Sequence, residues 1–129
     1  METVRDTDAM IKQMSPRLEP GCYIFKQARN EADLVQSLPL AVAMFREAEG
    51  ISMIVPSASD APMAMRQITL QVPSALDGVG LTAAVSDALA TAGIPCNIVA
   101  AFAHDHVFVP VAQAEAALDA LKDRAKAAA

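Results

Sequence analysis

The stretch from Gln67 to Val109 reads QITLQVPSALDGVGLTAAVSDALATAGIPCNIVAAFAHDHVFV, and its periodicities decide the fold. Ile68, Leu70 and Val72 alternate with Gln67, Thr69 and Gln71, the period of a half-buried strand. Pro73 to Gly80 is a turn-rich connection. Leu81 to Ala92 then sets Leu81, Ala84, Val85, Ala88, Leu89 and Ala92 on one face of a helix, with Gly93 where helices stop. Ile94 to Phe102 is almost continuously apolar, which predicts a strand deep in a sheet. His104-Asp105 predicts a turn, and His106 to Val109 the partner strand. Gln113 to Lys126 returns to helical spacing, with Ala114, Ala117, Leu118 and Leu121 inward and Lys122, Arg124 and Lys126 near the end, where cations oppose the helix dipole. The order β-α-β-β-α is a ferredoxin-like unit lacking its last strand.

Working outward toward the N-terminus, Asp8 to Met14 predicts a short helix through Met10, Ile11 and Met14, stopped by Ser15-Pro16. Cys22 to Ala28 alternates as a strand. Arg29 to Ser37 is polar and predicts a loop with at most one helical turn. Pro39 to Glu47 and Ile51 to Val55 predict two strands joined as a hairpin at Glu49-Gly50. Ser57 to Met65, with Pro62 in its first turn, predicts a short helix. The first half therefore reads β-β-β-α. The expected fold is α+β, two ferredoxin-like units with antiparallel sheets and helices on one face, divided as residues 1–65 and 66–129.

Composition narrows the function. The chain has 129 residues, of which 53% are hydrophobic, enough to fill a core. Its formal charge of −5 and the scarcity of clustered Lys and Arg argue against nucleic acid, where phosphate neutralisation supplies most of the affinity. Aromatics at 4% and no Trp argue against base stacking. No apolar run is long enough to span a membrane, and the start lacks the pattern of a signal peptide. A soluble, cytoplasmic protein with reduced thiols at Cys22 and Cys96 is expected. The methionines of the first half, Met10, Met14, Met44, Met53, Met63 and Met65 among them, read as core filler.

Gly78-Val79-Gly80-Leu81-Thr82, the amphipathic helix closing at Ala92-Gly93-Ile94, and Cys96-Asn97-Ile98-Val99 resemble the ACT domain. Met14-Ser15-Pro16-Arg17-Leu18, Gly21-Cys22-Tyr23-Ile24-Phe25, Phe45-Arg46-Glu47-Ala48-Glu49-Gly50, Ile68-Thr69-Leu70, Gly80-Leu81-Thr82-Ala83-Ala84 and Ala103-His104-Asp105-His106-Val107-Phe108-Val109 extend the likeness to a small bacterial family of tandem ACT-like proteins. Pro73 stands where that family tends to carry a His, and Phe102-Ala103 where aromatics are usual. The resemblance implies two ACT-like units, as at the regulatory end of aspartate kinases, and a small ligand, most often an amino acid, against the loop after the first strand and the start of the helix.

On this sequence that region is Ser74 to Thr82. Gly78 and Gly80 let backbone approach a ligand. Leu81 and Thr82 offer free N–H groups at a helix start, where an amino acid's carboxylate fits. Ser74 and Thr82 supply hydroxyls, and Asp77 an acceptor for an ammonium group. Val79 belongs to the same lip, and Asn97 and Ile98 to the adjacent strand wall. Arg46 reads first as a solvated hairpin charge, with two-pronged donation to a ligand carboxylate as the second reading. No nucleophile-and-base spacing, phosphate-cradling loop or cofactor motif is present. The leading reading is a non-enzymatic regulatory or sensor module that binds an amino acid, without a cofactor. Homodimerisation is expected, since such sheets leave edges and faces that a second unit covers. The second reading is a metal-binding protein or metal-dependent enzyme using His104 and His106, with Cys96 as a possible neighbour across the sheet. The third is an interaction module without a ligand.

Overall fold

A computed structural model describes residues 3–128. The chain divides into two compact units: Gly21–Met65 forms one, and the segment up to Pro20 joins Arg66 onward in the other. The contiguous partition at residue 65 is thus a partition of sequence, and in space the first twenty positions go with the C-terminal half.

The larger unit contains α1 (Thr7–Lys12), β1 (Pro16–Leu18), β5 (Met65–Leu70) from Arg66 onward, α3 (Leu81–Thr91), β6 (Asn97–Ala100), β7 (Asp105–Pro110) and α4 (Ala114–Ala127). Its strands lie in the order β1-β5-β7-β6. β1 pairs antiparallel with β5, Leu18 facing Ile68, and β6 antiparallel with β7, Ile98 facing Val107. Started at β5, this is the ferredoxin-like β-α-β-β-α-β order with β1 as its sixth element. The last strand missing from the C-terminal half comes from ahead of it in the chain. α1 ends at Lys12 with Gln13 as its cap, short of the expected Met14, and three residues with no visible alternation, Pro16–Leu18, become a strand because β5 offers them an open edge.

Strand alternation assigns the faces. Ile68, Leu70, Val107 and Val109 are buried with Leu81, Val85 and Leu89 of α3, Ala114, Ala117 and Leu121 of α4, and Met10 and Ile11 of α1. All three helices therefore cover one face, while Thr69 and His106 point to the other. Two expectations change here. The apolar run Ile94 to Phe102 yields only a four-residue edge strand, β6, whose ends Asn97 and Ala100 are exposed, because Ile94, Cys96 and Ile98 are drawn to the helix side. Asp105 is not in the turn but opens β7 and is buried.

The smaller unit contains β2 (Cys22–Gln27), α2 (Glu31–Ser37), β3 (Ala43–Glu47) and β4 (Gly50–Ser57). β4 lies between β3 and β2 and pairs antiparallel with both, and Met65 bridges Tyr23 on the other side of β2. Its order is β-α-β-β, not β-β-β-α. The polar stretch read as a loop is a helix, capped by Asn30, whose side chain accepts from the Asp33 amide at 2.8 Å. Leu38–Leu40 is a 3₁₀ turn rather than the start of β3. The helix expected over Ser57 to Met65 does not form: Ser57 ends β4, Met65 begins β5, and two tight turns between them place Met63 at φ +59°. Met10, Met14, Met53 and Met65 are buried as filler, whereas Met44 and Met63 are exposed.

Candidate functional site

The loop from Pro73 to Gly80 leads from β5 into α3 and bounds a cavity of about 140 Å³ in the larger unit. Ser74, Gly80, Leu81 and Thr82 line it, as do Met10 and Asp105. Gly80 caps α3 at φ +105°, a conformation that side chains resist, and α3 has no side-chain cap. Helix geometry leaves the first amides of α3, beginning with Leu81 and Thr82, without partners inside the helix. They give this end of the cavity partial positive charge.

Asp105 brings a carboxyl group to the same lining. Asp105 is 9% exposed, and Ser74 Oγ lies 3.5 Å from its Oδ2, too long for a strong bond. Burial pushes the Asp105 carboxyl above the usual carboxylate range, against the opposing pull of the Ser74 hydroxyl and the flanking His106 and His104. The cavity therefore joins donor amides to a carboxylate with spare acceptor capacity.

The other predicted residues lie outside the cavity lining. Asp77 is exposed and accepts from Arg5 Nε at 3.0 Å. Val79 is exposed, and its carbonyl accepts the Thr7 hydroxyl. Asn97 opens β6 opposite Phe108, and Ile98 packs into the apolar core. Arg46 is an exposed residue of β3. Asp105 is the residue that sequence reasoning passed over as turn chemistry. Its signal was available: a carboxylate directly before the apolar alternation of Val107 and Val109 has the same parity as both, and so shares their inward face.

His104 and His106 do not converge on the cavity. His106 Nδ1 lies 3.0 Å from Gln67 Nε2 and 3.1 Å from Thr69 Oγ1 on the sheet face opposite the helices. Burial and the nearby His104 hold its pKa below the ordinary imidazole value, with Asp105 and Glu19 opposing. Neutral His106 with Nδ1 accepting from Gln67 fits this geometry. His104 Nδ1 is buried without a hydrogen-bond partner. Cys96 packs on the helix side, away from His106, and burial raises its thiol pKa. Among the described residues no three His, Cys, Asp or Glu side chains gather as a metal site.

No helix among the described residues is long and apolar enough to cross a membrane. ACT-domain family profiles match residues 2–67 and 64–123. No curated protein matches the chain. Among solved structures, a protein of unknown function from Vibrio cholerae, described as a possible transport protein, is 35% identical over 92% of this chain and 94% of its own, with a TM-score of 0.76. A protein from Agrobacterium tumefaciens is 21% identical over 85% of this chain and 87% of its own, at a TM-score of 0.63. The ligand-free regulatory subunit of aspartate kinase from Thermus thermophilus shares the fold at 13% identity and a TM-score of 0.58, over 84% of this chain and 95% of its own. With both halves matched and the fold α+β with two ferredoxin-like units, the chain belongs to the ACT-domain family, typically regulatory ligand-binding modules, and carries two such domains in tandem.

Proposed function

We propose that this protein is a non-enzymatic sensor that binds a free amino acid in the cavity between Asp105 and the start of α3. The ligand's carboxylate accepts from the Leu81 and Thr82 amides, and its ammonium group donates to Asp105. Ser74, Gly80 and Thr82 line the remaining wall. The observation that supports this reading is the buried Asp105 carboxyl lining one cavity with a helix start that has no side-chain cap. A zwitterion satisfies both ends at once, whereas a simple anion would meet Asp105 unfavourably. The acceptor assigned to Asp77 on sequence grounds passes to Asp105, because Asp77 is held outward by Arg5.

The sensor is expected to act as a homodimer. Support comes from β3, an edge strand of the smaller unit with Phe45 71% exposed and Met44 also exposed. Sedimentation of the wild type and Phe45→Glu tests this, and a wild-type monomer would overturn it.

A thermal-shift screen against the twenty amino acids and divalent metals tests the site. A ligand at a hundredfold excess over its Kd adds about 2.7 kcal/mol of stability. The expected result is a rise with one or a few amino acids, lost in Asp105→Asn and reduced in Thr82→Ala. A rise with Zn²⁺ alone, lost in His104→Ala, would favour the metal reading. A rise undiminished in Asp105→Asn would move the site elsewhere.

A further inference from the structure

The lip of the cavity is held by a segment that precedes it in the chain by some seventy residues. Val4 N donates to the Pro73 carbonyl at 2.8 Å, and Ala75 N donates to the Val4 carbonyl at 3.0 Å, a parallel bridge between Val4 and Ser74. Arg5 Nε donates to Asp77 at 3.0 Å. The Thr7 hydroxyl donates to the Val79 carbonyl, and the Thr7 methyl stands over Gly80 so closely that a Cβ there would lie 2.6 Å away. Met10, 1% exposed, lines the cavity, and its Sδ would lie 2.9 Å from a Cβ on Gly78. Within the loop the backbone supplies only Ser74 N to Val72 O at 2.8 Å and Gly78 N to Ala75 O at 3.0 Å. The loop's shape thus depends more on Val4 to Met10 than on itself.

We infer that Val4–Met10 is a strap whose docking creates the lip of the cavity, so that strap docking and cavity occupancy favour one another. A ligand that touches Ser74, Gly80 and Thr82 requires the loop shape that the docked strap imposes. It therefore shifts the strap toward the docked state by its differential affinity for that shape. In reverse, any loss of docked population raises the apparent Kd by the same factor. The cavity in this way reports its occupancy at the N-terminal segment. The occupancy half of this inference rests on the amino-acid reading above, and the docking half does not.

Amide hydrogen exchange on the full chain tests both halves, comparing wild type with Thr7→Val and with Arg5→Ala/Thr7→Val. Without any ligand, the Val4 and Ala75 amides are expected to exchange about tenfold faster in the double variant, with β7 and α4 unchanged and Thr7→Val intermediate. Wild-type exchange at Ala75 in both variants would overturn the strap, because the loop would then stand alone. Equal acceleration in β7 and α4 would also overturn it, since the contacts would then hold the whole unit rather than the lip. Each of the twenty amino acids is then added to the wild type. One that protects Ala75 is expected to protect Val4 and Met10 to the same degree, and protection of Ala75 alone would overturn the coupling. If none protects Ala75, the sensor reading fails, while the ligand-free comparison still decides whether the strap exists.

Discussion

Among the described residues each unit has one buried acidic residue, Asp33 or Asp105, and the two are treated in opposite ways. In the smaller unit Asp33, 6% exposed, accepts from Lys26 Nζ at 2.8 Å, the Arg29 amide at 2.9 Å, Arg29 Nε at 3.4 Å and Ser37 Oγ at 3.2 Å. The Lys26 ammonium, the Arg29 amide and then the remaining donors hold its pKa far below the carboxylate range, outweighing desolvation. In the larger unit Asp105 is nearly as buried and has one long bond to Ser74, and burial drives its pKa upward. A carboxylate whose lone pairs are all used ties β2 to α2 and is structural. A carboxylate left short of donors weighs against the fold, and in the proposed function it is the group that would meet the ligand's ammonium.

The largest expected effect is on Asp33. Asp33→Ala strands Lys26 and the Arg29 amide, and is expected to lower the urea midpoint more than any other carboxylate substitution in the chain. Asp105→Asn is expected to leave the midpoint unchanged or to raise it. Equal losses in the two variants would break the comparison. Second, Asp105→Asn is expected to weaken amino-acid binding by about 2–5 kcal/mol in calorimetry, the usual cost of removing one partner of a buried charge pair.

Third, acid acts on the two groups with opposite sign. The stability from Asp33 is whole above the unfolded carboxylate value of about 3.9 and is lost as pH falls below it toward the lower folded value. The penalty from Asp105 is present at neutral pH and is relieved as pH falls through its raised folded pKa, where the fold binds a proton ahead of the unfolded chain. Denaturation of wild type, Asp33→Asn and Asp105→Asn across acid pH should therefore show a shallower acid loss in the first variant and a steeper one in the second. The smallest effect belongs to Ser74→Ala. Removing a 3.5 Å bond should cost no more than about 0.5–1 kcal/mol and move the Asp105 carboxyl resonance titration to higher pH.

The parts of the fold that were legible in the sequence are those whose signal is local. The helix over Leu81 to Thr91 carries its apolar face and its terminating Gly93, at φ +73°, within one stretch. The hairpin of β3 and β4 follows from a turn between two apolar runs. The helix over Glu31–Ser37 reads as a loop in the sequence because it has no apolar stripe: its buried residue is Asp33, held by Lys26 and Arg29 just ahead of it, and its one local signal is the Asn30 cap. Of the cavity lining, Ser74, Gly80, Leu81 and Thr82 were legible, since glycine spacing before a helix is a local signal. Met10 and Asp105 were not, since they reach the cavity from elements far away in sequence.

By itself the sequence determined the α+β class, the apolar faces of α3 and α4, and the helix start that lines the cavity, because each is written in spacings of a few residues. Only the tertiary structure decided where Pro16–Leu18 would go. A three-residue strand has no period of its own and forms because β5 has an edge to fill. The same long-range packing decided which carboxylate would be saturated and which left open. Burial and partners, not residue type, set the pKa of each.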